Sequence, residues 1–80
     1  MKRRDKKIIK SLGKCLRELR EEKDISLNMF ADESGMTSAT VSRVENGLVD
    51  TRFSTLLQYA RSLEIPLEDI LVKLEIDYTK

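Results

Sequence analysis

The chain has 80 residues, 40% of them hydrophobic and 36% charged, with a formal net charge of +1. That length suits a single domain able to bury roughly 60% of its unfolded-chain surface, and the composition is that of a soluble globular helical domain, not a disordered segment. One cysteine and no histidine leave no intramolecular disulfide and no zinc cage. No apolar run approaches 18 residues, so no membrane span is expected, and the basic start lacks the apolar core of a signal peptide. A reducing, cytoplasmic setting follows.

The charge is unevenly spread. Residues 1–23 carry ten Lys/Arg against four Asp/Glu, a local +6, and residues 24–80 carry five against ten, a local −5. One end of the molecule is therefore suited to phosphates and the other faces away from them. A solvated basic tail without a partner is the alternative.

Five helices are expected in chain order, an all-α chain. The first runs from about Ile8 to Lys23, with Leu12, Leu16 and Leu19 recurring at helical spacing behind Ile8 and Ile9. Ser26 caps a short second helix, about Leu27 to Ser34, with Phe30 and Ala31 facing inward. Gly35 stands where a left-handed residue is wanted, Met36 enters the core, and Thr37 caps a third helix that runs to about Asn46. Asn46-Gly47 is a stop signal. After a loop in which Asp50 or Thr51 can cap, a fourth helix places Phe53, Leu56, Leu57, Ala60 and Leu63 on one side. Pro66 opens a fifth, with Leu67, Ile70 and Leu71 apolar. Residues 72–78 alternate apolar and charged but also fit the helical period through Leu74 and Tyr78. Helix to about Leu74 with an extended end is favoured. Those apolar residues either complete the core or invite a second subunit.

The third helix has an unusual outer face. With Val41 and Val44 turned inward, Ala39, Ser42, Arg43 and Asn46 cluster on the opposite side. These are mostly short side chains, so the backbone can approach a partner closely, as it would in a groove. Nothing in the chain suggests catalysis. General acid–base work would fall to carboxylates, and Cys15 reads as a small semi-buried residue more readily than as a redox thiol.

The segment Leu12-Gly13-Lys14-Cys15-Leu16-Arg17-Glu18-Leu19-Arg20-Glu21-Glu22-Lys23 with Ile25-Ser26, then Phe30-Ala31, Gly35-Met36-Thr37 and Val41-Ser42-Arg43-Val44-Glu45-Asn46-Gly47, resembles the phage-repressor and Cro-like (XRE) helix-turn-helix family. Ser54-Thr55-Leu56-Leu57, Ala60 and Leu63-Glu64-Ile65-Pro66-Leu67 extend the resemblance, which covers about residues 11–71. It implies a five-helix lambda-repressor-like fold whose third helix enters the DNA major groove. It also implies a sequence-specific regulator of transcription, a repressor, acting as a homodimer on a palindromic operator. Ser38, Ala39, Ser42 and Arg43 match base-contacting positions, and Thr37, Thr40 and Asn46 match phosphate-contacting ones. Arg20 and Glu45 match a buried ion pair.

Two departures stand out. Leu27 replaces a glutamine that grips phosphate and braces the third helix, and the loop Leu48-Val49-Asp50 lacks the usual basic residues, leaving Arg52 as the nearby cation. A basic N-terminal arm, residues 1–7 with Lys2, Arg3, Arg4, Lys6 and Lys7, is expected to add phosphate contacts ahead of a DNA-binding domain spanning 8–71. A tail over 72–80 is expected to help dimerisation through Leu67, Ile70, Leu71, Leu74, Ile76 and Tyr78. The alternative is a protein-interaction module, such as an antitoxin that autoregulates its operon, with Leu27, Met29, Leu48 and Val49 as partner surface. No catalytic residues, metal, cofactor, small-molecule substrate or membrane partner is expected. The expected location is the cytoplasm of a bacterium, in association with the nucleoid, whether the chain is host- or phage-encoded.

Overall fold

The structure, a computed structural model, describes the backbone of residues 3–79 and the side chains of residues 6–76. Five helices form it: α1 (Arg3–Glu22), α2 (Leu27–Ser34), α3 (Ser38–Glu45), α4 (Phe53–Leu63) and α5 (Leu67–Thr79). The described residues contain no strand.

The helix boundaries follow local chemistry. The Ser26 hydroxyl accepts from the Met29 N–H at 3.1 Å and the Thr37 hydroxyl from the Thr40 N–H at 3.1 Å, so both helices of the central pair are capped as expected. Between them Gly35 sits at φ 78°, a left-handed turn that a side chain would strain. The start of α4 differs from expectation. Arg52 is its N-cap residue and makes no side-chain capping bond, so neither Asp50 nor Thr51 serves. At the other end of α4, Glu64 takes the left-handed conformation without being glycine.

The outer helices are longer than their apolar pattern. α1 starts at Arg3, five residues before Ile8, so residues 3–7 continue the helix. α5 continues to Thr79, and the period-2 reading of the tail gives way to the helical one. Leu74 packs half-buried on the core, and Lys73 reaches back to Glu18 at 3.7 Å and Glu22 at 3.4 Å on α1. Those two links reward helical spacing.

The core joins Leu12 and Leu16 of α1, Phe30 and Ala31 of α2, Val41 and Val44 of α3, Leu56, Tyr59, Ala60 and Leu63 of α4, and Ile70 of α5. Cys15 is fully buried, not half-exposed. Phe53 and Leu57, expected inside, are 61% and 45% exposed. Tyr59 takes the central place on α4. Its ring lies 4.3 Å from that of Phe30, centroid to centroid, tilted by 35°, within the range of favourable aromatic pairs.

One polar cluster crosses this core. Arg20 grips Glu45 through two bonds, Nε to Oε2 at 2.9 Å and Nη2 to Oε1 at 2.8 Å, and its Nη1 donates to the Ile25 carbonyl at 2.7 Å. Tyr59 donates its hydroxyl to Glu45 Oε2 at 2.9 Å. Arg20 and Glu45 are both buried, so the expected ion pair is present and has a third member, Tyr59, that the sequence reading missed. A Cβ at Gly13 would come within 2.5 Å of the Val44 carbonyl and 2.8 Å of the Glu45 carbonyl. Only glycine lets α1 lie this close to the end of α3.

Burial, then the charge of Glu45 and the bond donated to it, push the Tyr59 phenol well above its ordinary value of 10.0. A raised pKa means the Tyr59 contribution is complete below about pH 10, where the unfolded tyrosine begins to ionise, and is lost as pH rises further. Tyr59→Phe should therefore cost about 1 kcal/mol at about pH 9. The gap to wild type should shrink above about pH 10, at up to roughly 1.4 kcal/mol per pH unit. Urea denaturation of both proteins across that range measures it, and a gap independent of pH would contradict the assignment.

Candidate nucleic-acid interface

α3 is held at both ends. Its C-terminus is fixed by Glu45 and by the close approach of Gly13. Its N-terminus is tied to α2 by the Ser38 hydroxyl, which donates to Asn28 Oδ1 at 2.7 Å. Asn28 escaped notice in the sequence, where Leu27 drew attention as the residue replacing the usual brace. The brace exists one position later. Leu27 itself packs half-buried on the core, so of the four apolar residues expected on a partner surface only Met29, Leu48 and Val49 are exposed.

The outward face of α3 matches the helical-wheel reading. Ser38, Ala39, Arg43 and Asn46 are exposed, Ser42 is half-buried at the edge, and Val41 and Val44 are in the core. Ala39 and the two serines keep this face low, and Arg43 is its one long cation. Asn46 turns back on the helix: its Nδ2 donates to the Ser42 carbonyl at 2.9 Å and to Ser42 Oγ at 3.2 Å, closing the C-terminus. Thr37 is exposed and its hydroxyl donates to Thr40 Oγ1 at 2.9 Å. With that oxygen accepting, the Thr40 hydroxyl keeps its own proton to donate.

Thr40 and Arg52 come together. With Val44, Val49, Asp50, Thr51 and Thr55 they line an open concavity of about 340 Å³ at the start of α4. The missing side-chain cap leaves early N–H groups of α4 without side-chain acceptors. Thr51 Oγ1 is buried there with no hydrogen-bond partner. Arg52, an uncapped helix start and idle hydroxyls suit an anionic oxygen, and Asp50 opposes one. Thr51 was legible in the sequence only as a cap, a role the structure does not give it.

The basic N-terminal segment reaches this side through Lys6. Lys6 and Lys10 line a second concavity of about 280 Å³ with Ile9, Gly47 and Leu48, beside the turn that follows α3. Lys10 was not singled out from sequence, because the first helix was expected to begin at Ile8 and so to leave Lys6 outside it. Lys7 is exposed. Arg3 and Arg4 lie on the first turn of α1, and Lys2 lies outside the described residues.

The six residues expected at a dimer surface divide. Ile70 is fully buried in the chain's own core, so it is not available to a partner, and Leu67 and Leu74 pack against that core half-buried. Leu71 and Ile76 are exposed, together with Val72. The Tyr78 side chain lies outside the described residues. Among the described residues no cluster of His, Cys, Asp or Glu could hold a metal ion, and no helix is long and apolar enough to cross a membrane.

Comparisons with known proteins agree with this geometry. A family model described as helix-turn-helix matches residues 16–70. The chain is 38% identical over 66 residues, 81% of its length, to the HTH-type transcriptional repressor RghR of Bacillus subtilis (strain 168), of which the match covers 49%. The chain thus spans about half the length of the curated relatives it matches. The crystal structure of the restriction-modification controller protein C.AhdI from Aeromonas hydrophila superposes with a TM-score of 0.74 at 31% identity, covering 78% of this chain and 94% of that one. The clp gene regulator ClgR from Corynebacterium glutamicum shares the fold, with a TM-score of 0.85 over 90% of this chain and 77% of the other at 22% identity. With a family model matched over most of its length, a paired α2 and α3 in the expected register and an outward face of short polar side chains, the chain belongs to the helix-turn-helix family.

Proposed function

We propose that the chain is a double-stranded DNA-binding regulator of transcription, a repressor in outcome, that reads base edges with the outer face of α3. The observation that carries this reading is the exposed, low face of α3 around Arg43, fixed at one end by Glu45 and at the other by Ser38. Arg43 is the residue able to fork onto guanine O6 and N7. The concavity holding Thr40 and Arg52 is suited to one backbone phosphate, and Lys6 and Lys10 to another on the far side of the α3–α4 turn. Residues 3–7 are helical in backbone, so this segment meets DNA as part of α1 and not as an extended arm. The named activity of RghR as a repressor points the same way.

A single helix reads only a few base pairs, so the reading includes a symmetric homodimer with half-sites about one helical turn, roughly 34–36 Å, apart. Leu71, Val72 and Ile76 of α5 are the apolar side chains offered for it. A cytoplasmic, nucleoid-associated location accompanies this function. Exposed Met29, Leu48 and Val49 favour a second reading, a protein-binding module that regulates its own operon.

Enrichment of a randomised duplex library on the full chain separates the two. The regulator reading expects a palindromic motif, and Arg43→Ala should lose about fivefold or more in discrimination at one base pair per half-site. Weak, salt-labile binding with no enriched motif would contradict it. The dimer has its own test. Leu71→Glu combined with Ile76→Glu should convert a dimer to a monomer in sedimentation velocity with the helical circular dichroism unchanged, and a variant that still sediments as a dimer would place the interface elsewhere. Deleting 72–80 is the poorer test, because Lys73 and Leu74 also hold α5 to the core.

A further inference from the structure

A serine hydroxyl has one proton to give and two lone pairs to accept with, so on its own it reads a base edge without preference. The two serines on the reading face of α3 are not on their own. Ser38 gives its proton to Asn28 Oδ1 at 2.7 Å. What it has left toward solvent is acceptor capacity. Ser42 is engaged the opposite way. Its Oγ accepts from Asn46 Nδ2 at 3.2 Å, in an amide that is itself anchored to the Ser42 carbonyl at 2.9 Å. Accepting one bond leaves Ser42 its proton and its second lone pair, so it still reads a base edge without preference.

We propose that Asn28 is a specificity-determining residue that sets the base-facing Ser38 as a hydrogen-bond acceptor. This deepens the DNA-reading function proposed above and rests on it. In the major groove the only base donors are adenine N6 and cytosine N4, whereas guanine N7 and O6, adenine N7 and thymine O4 accept. Ser38 therefore selects adenine or cytosine on the strand it faces, which distinguishes A·T from T·A and C·G from G·C. That gives a helix with one long cation a further reader. The bond from Ser38 occupies the Asn28 oxygen and leaves its amide hydrogens as donors.

The polarity is separable from bracing. Asn28→Asp keeps an oxygen for the Ser38 proton and removes the amide donors. Asn28→Ala removes the oxygen and lets the hydroxyl rotate. The experiment is the randomised-duplex enrichment on the full chain for wild type, Ser38→Ala, Asn28→Ala and Asn28→Asp, with melting curves confirming that each variant is folded. Ser38→Ala identifies the base pair that Ser38 faces by abolishing its preference there. Asn28→Ala should relax adenine-or-cytosine to near indifference at that pair, a change of about fivefold, while the Arg43 position keeps its preference. Asn28→Asp should retain the preference while binding every sequence more weakly.

A uniform loss of affinity in Asn28→Ala, with base preferences intact, would mean that Asn28 only braces the helix, and would overturn the proposal while leaving DNA reading in place. The same holds if Ser38→Ala changes no position. If wild type enriches no motif at all, the DNA-reading function fails and the polarity proposal with it.

Discussion

The Arg20–Glu45–Tyr59 cluster is the constraint on which the rest of the molecule depends. A carboxylate and a guanidinium taken out of water are tolerable only when each finds its hydrogen bonds, and here each does. Because the partners come from α1, the α1–α2 turn, α3 and α4, satisfying them leaves one relative placement of those elements. A buried pair of this kind is weak evidence for extra stability over an apolar core of the same volume. Its effect is positional. The last residue of α3 is fixed in direction as well as in depth, and Gly13 allows the α1 backbone to close against it without a side chain between.

An anchored C-terminus makes the small outer face of α3 usable. Under the proposed function, short side chains such as Ser38, Ala39 and Ser42 reach a base edge only if the backbone comes close and comes in at a fixed angle, since they have no length with which to correct an error. A long side chain such as Arg43 can compensate for a shift that a serine cannot. The bond from Ser38 to Asn28 secures the other end of the helix. The apolar core supplies cohesion, and the polar bonds at the two ends of α3 set its pose.

Much of this was readable in the sequence, and the failures have physical reasons. Ser26, Gly35, Thr37 and Asn46-Gly47 are local signals whose chemistry acts within a few residues, and the α2–α3 pair lies where they put it. Helix ends without apolar periodicity were not readable. Residues 3–7 have no buried stripe to betray them, and the tail beyond Leu71 satisfied two periods at once until Lys73 found Glu18 and Glu22. Tyr59 sat between Gln58 and Ala60 in a pattern that favoured Phe53 and Leu57. Only the position of Glu45 in three dimensions explains why the tyrosine is inside and the phenylalanine is out. Ile70 was read as interface and is core for the same reason, since one chain cannot show which side of a helix its own fold already covers. In the site, residue types at single positions were legible and pairings were not: Asn28 with Ser38 and Thr40 with Arg52 each join segments that sequence spacing does not connect.

The central claim is that a rigidly held α3 is the surface that meets DNA. Backbone amide chemical shifts of the full chain, titrated with a duplex obtained by enrichment, test it most directly. The account predicts that the large changes fall on residues 37–46, on Asn28 and at the start of α4 from Thr51 to Thr55, with smaller ones near Lys6 and Lys10. Changes concentrated on α5 or on Met29, with residues 37–46 unmoved, would contradict it.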